Sequence, residues 1–158
     1  MKFRKAVELS PSLEQAWQTG LSALRSTDRT HVRVEDTRRL TGSVDLDNTL
    51  KSTLPNEPRW DYAVGYRHTT PKGEIIYWVE VHPATDGEIK VVLKKLAWLK
   101  QWLCETAPQL NSLGREFILV SSGKTSLSLS APQQKQFALL GLQHKGRVFQ
   151  ISNASAAD

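Results

Sequence analysis

Residues 74–83, Glu-Ile-Ile-Tyr-Trp-Val-Glu-Val-His-Pro, constrain the fold of this chain more than any other stretch. Ile75, Tyr77, Val79 and Val81 share one side of an extended chain, and Ile76, Trp78, Glu80 and His82 share the other. A strand that is apolar on both sides belongs inside a sheet covered on both faces. The preceding segment, 59–67, also alternates: Trp60, Tyr62, Val64 and Tyr66 are predicted on one face, Arg59, Asp61, Ala63, Gly65 and Arg67 on the other. Thr69-Thr70-Pro71-Lys72-Gly73 between the two is a turn, so the pair reads as a hairpin.

A long helix is predicted next, from Asp86-Gly87-Glu88 to about Glu105, because Ile89, Val92, Leu93, Leu96, Leu99 and Leu103 recur at three and four and Pro108 follows. Residues 116–121 read as a buried strand, 122–130 as a Ser/Gly-rich loop with room for a short strand, 132–140 as a helix stopped by Gly141, and 146–151 as a last strand. Upstream, Ser10-Pro11 has the form of a helix start, and Leu13, Trp17, Leu21 and Leu24 share one helical face, so a helix is predicted to about Arg25–Thr27. Residues 31–35 alternate as a short strand, and 36–58 read as a loop holding a short strand or a helical turn. Crossover and antiparallel connections together give an α/β fold: one domain over 1–151 with a central mixed sheet flanked by helices, and a flexible tail at 152–158.

With 158 residues and 39% apolar content the chain can bury a core unaided. No apolar run approaches the ~20 residues of a membrane helix. A single cysteine, Cys104, read as a buried apolar residue, excludes an internal disulfide and a multi-cysteine zinc site. With no apolar segment behind the basic start, these features predict a cytoplasmic location. The net charge of +5 fits a polyanionic partner, with nucleic acid the expectation.

The chemistry-bearing residues fall on the hairpin. Glu80 and His82 lie about 7 Å apart on one strand face, and Asp61 shares its face with the small residues Ala63 and Gly65. Carboxylates converging in an apolar sheet need a compensating cation. Mg²⁺ or Mn²⁺, on oxygens of Asp61 and Glu80 and the Val81 carbonyl, is the simplest one. Ordinary structural roles compete: a backbone bond for Asp61, pairing of Glu80 with Arg59 or Arg67, and a structural His82.

This order of residues and elements resembles the PD-(D/E)XK nuclease superfamily, a restriction-endonuclease-like fold. Arg59-Trp60-Asp61-Tyr62 stands at the first motif and Glu80-Val81-His82 at the second, with the likeness spanning roughly Ser10 to Ser122. The resemblance implies a metal-dependent nuclease acting on DNA or RNA phosphodiesters. Asp61 and Glu80 would hold Mg²⁺ or Mn²⁺, Glu14 from the first helix would add a contact, and His82 or Lys90 would assist the attacking water, with Lys94 a further source of the cation. His82 stands where the family carries lysine. That substitution also fits an inactive nuclease-fold protein serving as a binding or scaffold subunit, and a homodimer or larger complex is compatible with either.

Two other patterns stand in the sequence. Val44-Asp45-Leu46-Asp47-Asn48-Thr49-Leu50 matches the D-x-D-x-T-L signature of haloacid-dehalogenase-like phosphatases, with Asp45 as nucleophile, but 38–43 are polar for a buried first strand and no acidic pair follows residue 121. Trp98 and Trp102, four apart on the long helix, read as core or as a stacking platform.

Overall fold

The computed structural model describes residues 1–83, 85–123 and 128–153. In chain order its elements are α1 (Phe3–Glu8), α2 (Ser26–Arg29), β1 (Val32–Val34), a 3-10 turn (Thr37–Arg39), β2 (Leu40–Asp45), α3 (Leu46–Leu50), β3 (Tyr62–Arg67) and β4 (Glu74–Pro83). There follow α4 (Asp86–Glu105), α5 (Pro108–Asn111), β5 (Arg115–Ser122), α6 (Ala131–Leu140), β6 (Leu142–His144) and β7 (Phe149–Ile151).

The central sheet runs β2-β3-β4-β5-β6. Its first three strands form an antiparallel meander, and α4 then carries the chain over to β5, which lies parallel to β4, as β6 does to β5. The protein is therefore α/β, with a mixed central sheet flanked by helices.

The two-sided apolar pattern of β4 has its explanation in two separate cores. Ile76 and Trp78 face the helical side, where Ile89, Val92, Leu96, Leu99 and Leu103 of α4 meet Phe3 and Val7 of α1, Leu46 and Leu50 of α3, and Phe137 of α6. Tyr77 and Val79 face the other side with Tyr62, Val64, Tyr66, Ile118 and Val120. That side is closed by a parallel two-stranded sheet of β1 and β7 through Val32, Phe149 and Ile151. At roughly 25 cal/mol per Å² of apolar surface, burial on both faces makes the hairpin and α4 the framework of the molecule.

The helix predicted from Ser10 to Arg25–Thr27 does not form. The chain is helical earlier, at α1, where Ser10 closes the end by donating to the Ala6 carbonyl at 2.7 Å. Residues 9–25 make a series of turns, with Ser12 at φ 68°. Tertiary bonds outweigh helix propensity here. Gln18 and Ser43 exchange backbone bonds at 2.9 and 2.8 Å, the Ala23 N–H reaches Ser43 Oγ at 3.1 Å, and the Trp17 indole donates to the Thr41 carbonyl at 3.0 Å. The segment covers the outer edge of β2, which otherwise presents unpaired backbone groups.

Trp60 also departs from its expected face: it packs on the helical side with Ala63. Alternation begins only at Tyr62, because the Asp61 carbonyl is taken by the Leu46 and Asp47 N–H groups at 2.9 and 3.3 Å instead of a strand ladder. The last predicted strand is shortened to β7, and β6 was not foreseen. The middle of the Ser/Gly-rich loop, 124–127, lies outside the described residues, as do 154–158 of the predicted tail. α6 has the capping box Ser130–Gln133 and ends on Gly141 at φ 70°.

Close approach explains Gly42 and Gly65. A Cβ at Gly42 would lie 2.1 Å from Trp17 Nε1, and its φ is +126°. Gly42→Ala is expected to cost about 2–3 kcal/mol, from overpacking and backbone strain together. Gly87→Ala, with nothing within 4 Å, is expected to be neutral or to stabilise by up to about 1 kcal/mol. Urea unfolding of the two variants checks the contrast.

Candidate functional site

Asp61 and Glu80 meet just past the end of the β3–β4 ladder, whose last pair is Tyr62–Val79. Each carboxylate accepts from a backbone N–H of the facing segment. Glu80 Oε1 accepts from the Asp61 N–H at 3.1 Å, and Asp61 Oδ2 accepts from the Val81 N–H at 3.0 Å. Both side chains therefore aim at one space on the helical side of the sheet. Glu80 has no exposed surface, and the Asp61 side chain is 18% exposed.

The cation in that space is Lys95 from α4. Its ammonium contacts Glu80 Oε2 and lies 3.7 Å from Asp61 Oδ1, with its side chain only 14% exposed. Lys90 and Lys94 are exposed. The signal for Lys95 was present in the spacing. Glu88, Val92, Lys95, Leu99 and Trp102 recur at four, three, four and three, so Lys95 interrupts a buried helical stripe. A lysine flanked on such a stripe by apolar residues must meet a carboxylate on the facing sheet.

His82 continues the network. Its Nδ1 lies 3.1 Å from Glu80 Oε2 and its Nε2 2.5 Å from Glu88 Oε2, at the first turn of α4. A carboxylate at each nitrogen favours the charged ring, in which both nitrogens donate. Its pKa is raised accordingly, chiefly by the bond to Glu80 and against the opposing effect of burial.

The charges do not balance. Three carboxylates (Asp61, Glu80, Glu88) face two cations (Lys95, His82). The shortfall falls on Asp61, whose pKa is pushed up to about 8 by burial first and then by the Glu80 charge, against the pull of Lys95. Burial alone would lower the Lys95 pKa; Glu80 and Asp61 outweigh it and raise it.

The other candidates lie apart from this network. Glu14 sits in the turns that replace the predicted helix, exposed, with Oε1 accepting from the Ser12 N–H at 3.1 Å. Asp45 caps α3 by accepting from the Asn48 N–H at 2.9 Å. Asp47 pairs with Arg59 at 3.0 Å, so Arg59 is committed there and not to Glu80. Glu14 and Asp45 both line one open depression of about 600 Å³. Trp98 and Trp102 stack at 5.8 Å beside a cleft of about 300 Å³ next to Leu50 and Leu54. Cys104 is exposed rather than buried. Ser121 is the parallel-strand neighbour of His82, and its hydroxyl lies 2.8 Å from His144 Nε2.

Among the described residues no group of three His, Cys, Asp or Glu side chains is arranged to hold a metal ion. No helix among them is long and apolar enough to cross a membrane. No family model, no curated protein and no solved structure matches the chain.

Proposed function

We propose that this is a divergent nuclease-like domain that hydrolyses phosphodiesters with Mg²⁺ or Mn²⁺, its centre formed by Asp61, Glu80 and Lys95. One observation carries the reading: carboxylates from adjacent strands share a single lysine delivered by the crossover helix. The element order supports it, since a helix, a strand meander bearing Asp61 and then Glu80, a long helix and a parallel strand follow one another as the PD-(D/E)XK resemblance implies. Lys95 then supplies, from α4, the cation that the motif places at His82.

The donor set offers oxygen ligands to a hard divalent ion: three carboxyl groups converge here, Asp61 Oδ1 accepts no backbone bond among the described residues, and a bound cation would displace the proton that Asp61 holds. Asp61 and Glu80 would hold the ion, with water and substrate oxygens completing its shell. When bound, it would stabilise charge on a phosphate and acidify a coordinated water. The chain's own contribution is positional. The Val81 and Asp61 N–H groups fix the two carboxylates, and the Lys95 ammonium places a positive charge where phosphate oxygens gain it in the transition state. The His82 imidazolium holds Glu80 and Glu88 in place.

A second reading has its own support. Both Glu80 oxygens are already engaged, by the Asp61 N–H and by Lys95 with His82. A network satisfied in this way suits a binding or scaffold subunit that does not cut. Cleavage of plasmid and oligonucleotide substrates during a Mg²⁺ and Mn²⁺ titration separates the two. The nuclease reading expects metal-dependent cutting by the wild type and background cutting by Asp61→Asn, an isostere that still accepts from the Val81 N–H. Absent cutting, together with a melting temperature indifferent to millimolar metal, would leave the scaffold reading.

A further inference from the structure

We propose that a groove at the far end of β3 from the carboxylate pair is a separate, non-catalytic docking surface for a polynucleotide backbone. Asp61 precedes the first residue of β3 and Arg67 is its last, so the two places lie about 20 Å apart along the strand. Two adjoining depressions, of about 430 and 300 Å³, share Leu40, Thr41 and Arg67 in their walls.

The groove is lined by five cationic side chains, Lys2, Arg4, Arg38, Arg39 and Arg67, and by the Trp17 ring. Three carboxylates oppose them. Asp36 accepts from Arg38 through both oxygens, at 3.0 and 3.2 Å, and lies 3.7 Å from Arg39, Glu8 takes Arg4 at 3.2 Å, and Glu74 accepts from the Phe3 N–H at 3.0 Å. Arg67 faces no carboxylate within ion-pair distance among the described residues, and the Arg38 side chain is 89% exposed.

The groove is also ordered from below. Arg39 donates to the Arg67 carbonyl at 3.3 Å, which ties the 3-10 turn to the end of β3. Arg4 lies 4.2 Å over the Trp17 ring, itself held by the Thr41 carbonyl. A cluster of guanidiniums suits phosphate groups, each able to take two parallel N–H donors. The cationic excess needs no divalent ion. The choice of a polynucleotide as the polyanion rests on the nuclease reading; the anionic character of the ligand does not.

The test is fluorescence anisotropy with a short fluorescein-labelled single-stranded DNA oligonucleotide in EDTA. Wild type is expected to bind with no divalent ion present. Arg38→Ala/Arg39→Ala/Arg67→Ala is expected to bind at least about tenfold more weakly, with a log–log salt slope reduced by about 2 to 3. Lys135→Ala/Lys145→Ala, two exposed lysines outside the groove, is expected to match wild type, and near-wild-type melting curves establish that each variant is folded. The proposal fails if the folded triple variant binds like wild type, or if the lysine variant loses as much. It also fails if heparin or anionic lipid vesicles bind more tightly than the oligonucleotide. Retained binding without any metal-dependent cleavage would reject the nuclease centre and leave the groove standing.

Discussion

Replacing Lys95 by methionine is expected to lower stability by about 3–5 kcal/mol, the cost of breaking a buried ion pair and leaving its partner uncompensated. Glu80 has no exposed surface and Lys95 is its main cation, so water cannot take over the lost interaction. For a domain of this size the loss corresponds to a fall in melting temperature of roughly 6–20 °C. The double change Lys95→Met/Glu80→Gln removes the stranded charge together with the lysine, and should recover at least half of the deficit. Urea unfolding of the two variants and wild type measures both quantities. A single-variant loss below about 1 kcal/mol would mean that the pair is weakly coupled, and would remove the basis for placing a shared cation at the centre.

The second large effect is the pH dependence of stability. Asp61 has a folded pKa of about 8 against about 3.9 in an unfolded chain. Between these values the native state holds a proton that the unfolded state has released. The Asp61 contribution is therefore fully present below about pH 4 and is lost as pH rises through about 8, with a slope of up to about 1.4 kcal/mol per pH unit. His82, also raised, acts in the same direction once pH passes its unfolded value of about 6.5. Stability is thus expected to decline from pH 5 to pH 8 and to level off above it. Asp61→Asn should flatten most of that decline and be more stable than wild type at pH 8.5. An unchanged slope in the asparagine variant would show that the proton resides elsewhere.

What was legible in the sequence follows from periodicity. β4 and α4 have the predicted bounds, because each carries a strong apolar period over at least ten residues and is stopped by turn chemistry or a following proline. The Asp61–Glu80 juxtaposition was legible for the same reason, since a hairpin with a short turn fixes its own register. The region 9–25 was misread because its apolar residues Leu13 and Leu24 are buried at helix-like spacing without a helix. The segment is held instead by bonds from Trp17, Gln18 and Ala23 to β2 residues 20 to 25 positions away, which no local pattern reveals.

The sequence by itself determined the hairpin, the crossover helix and the mixed α/β class, because side-chain alternation and helical repeat are local consequences of backbone geometry. Only the tertiary structure decided which cation meets the two acids. Lys90, Lys94 and Lys95 differ in sequence by a few positions, but a helix turns about 100° per residue, so only the one aimed into the sheet can answer a charge buried there.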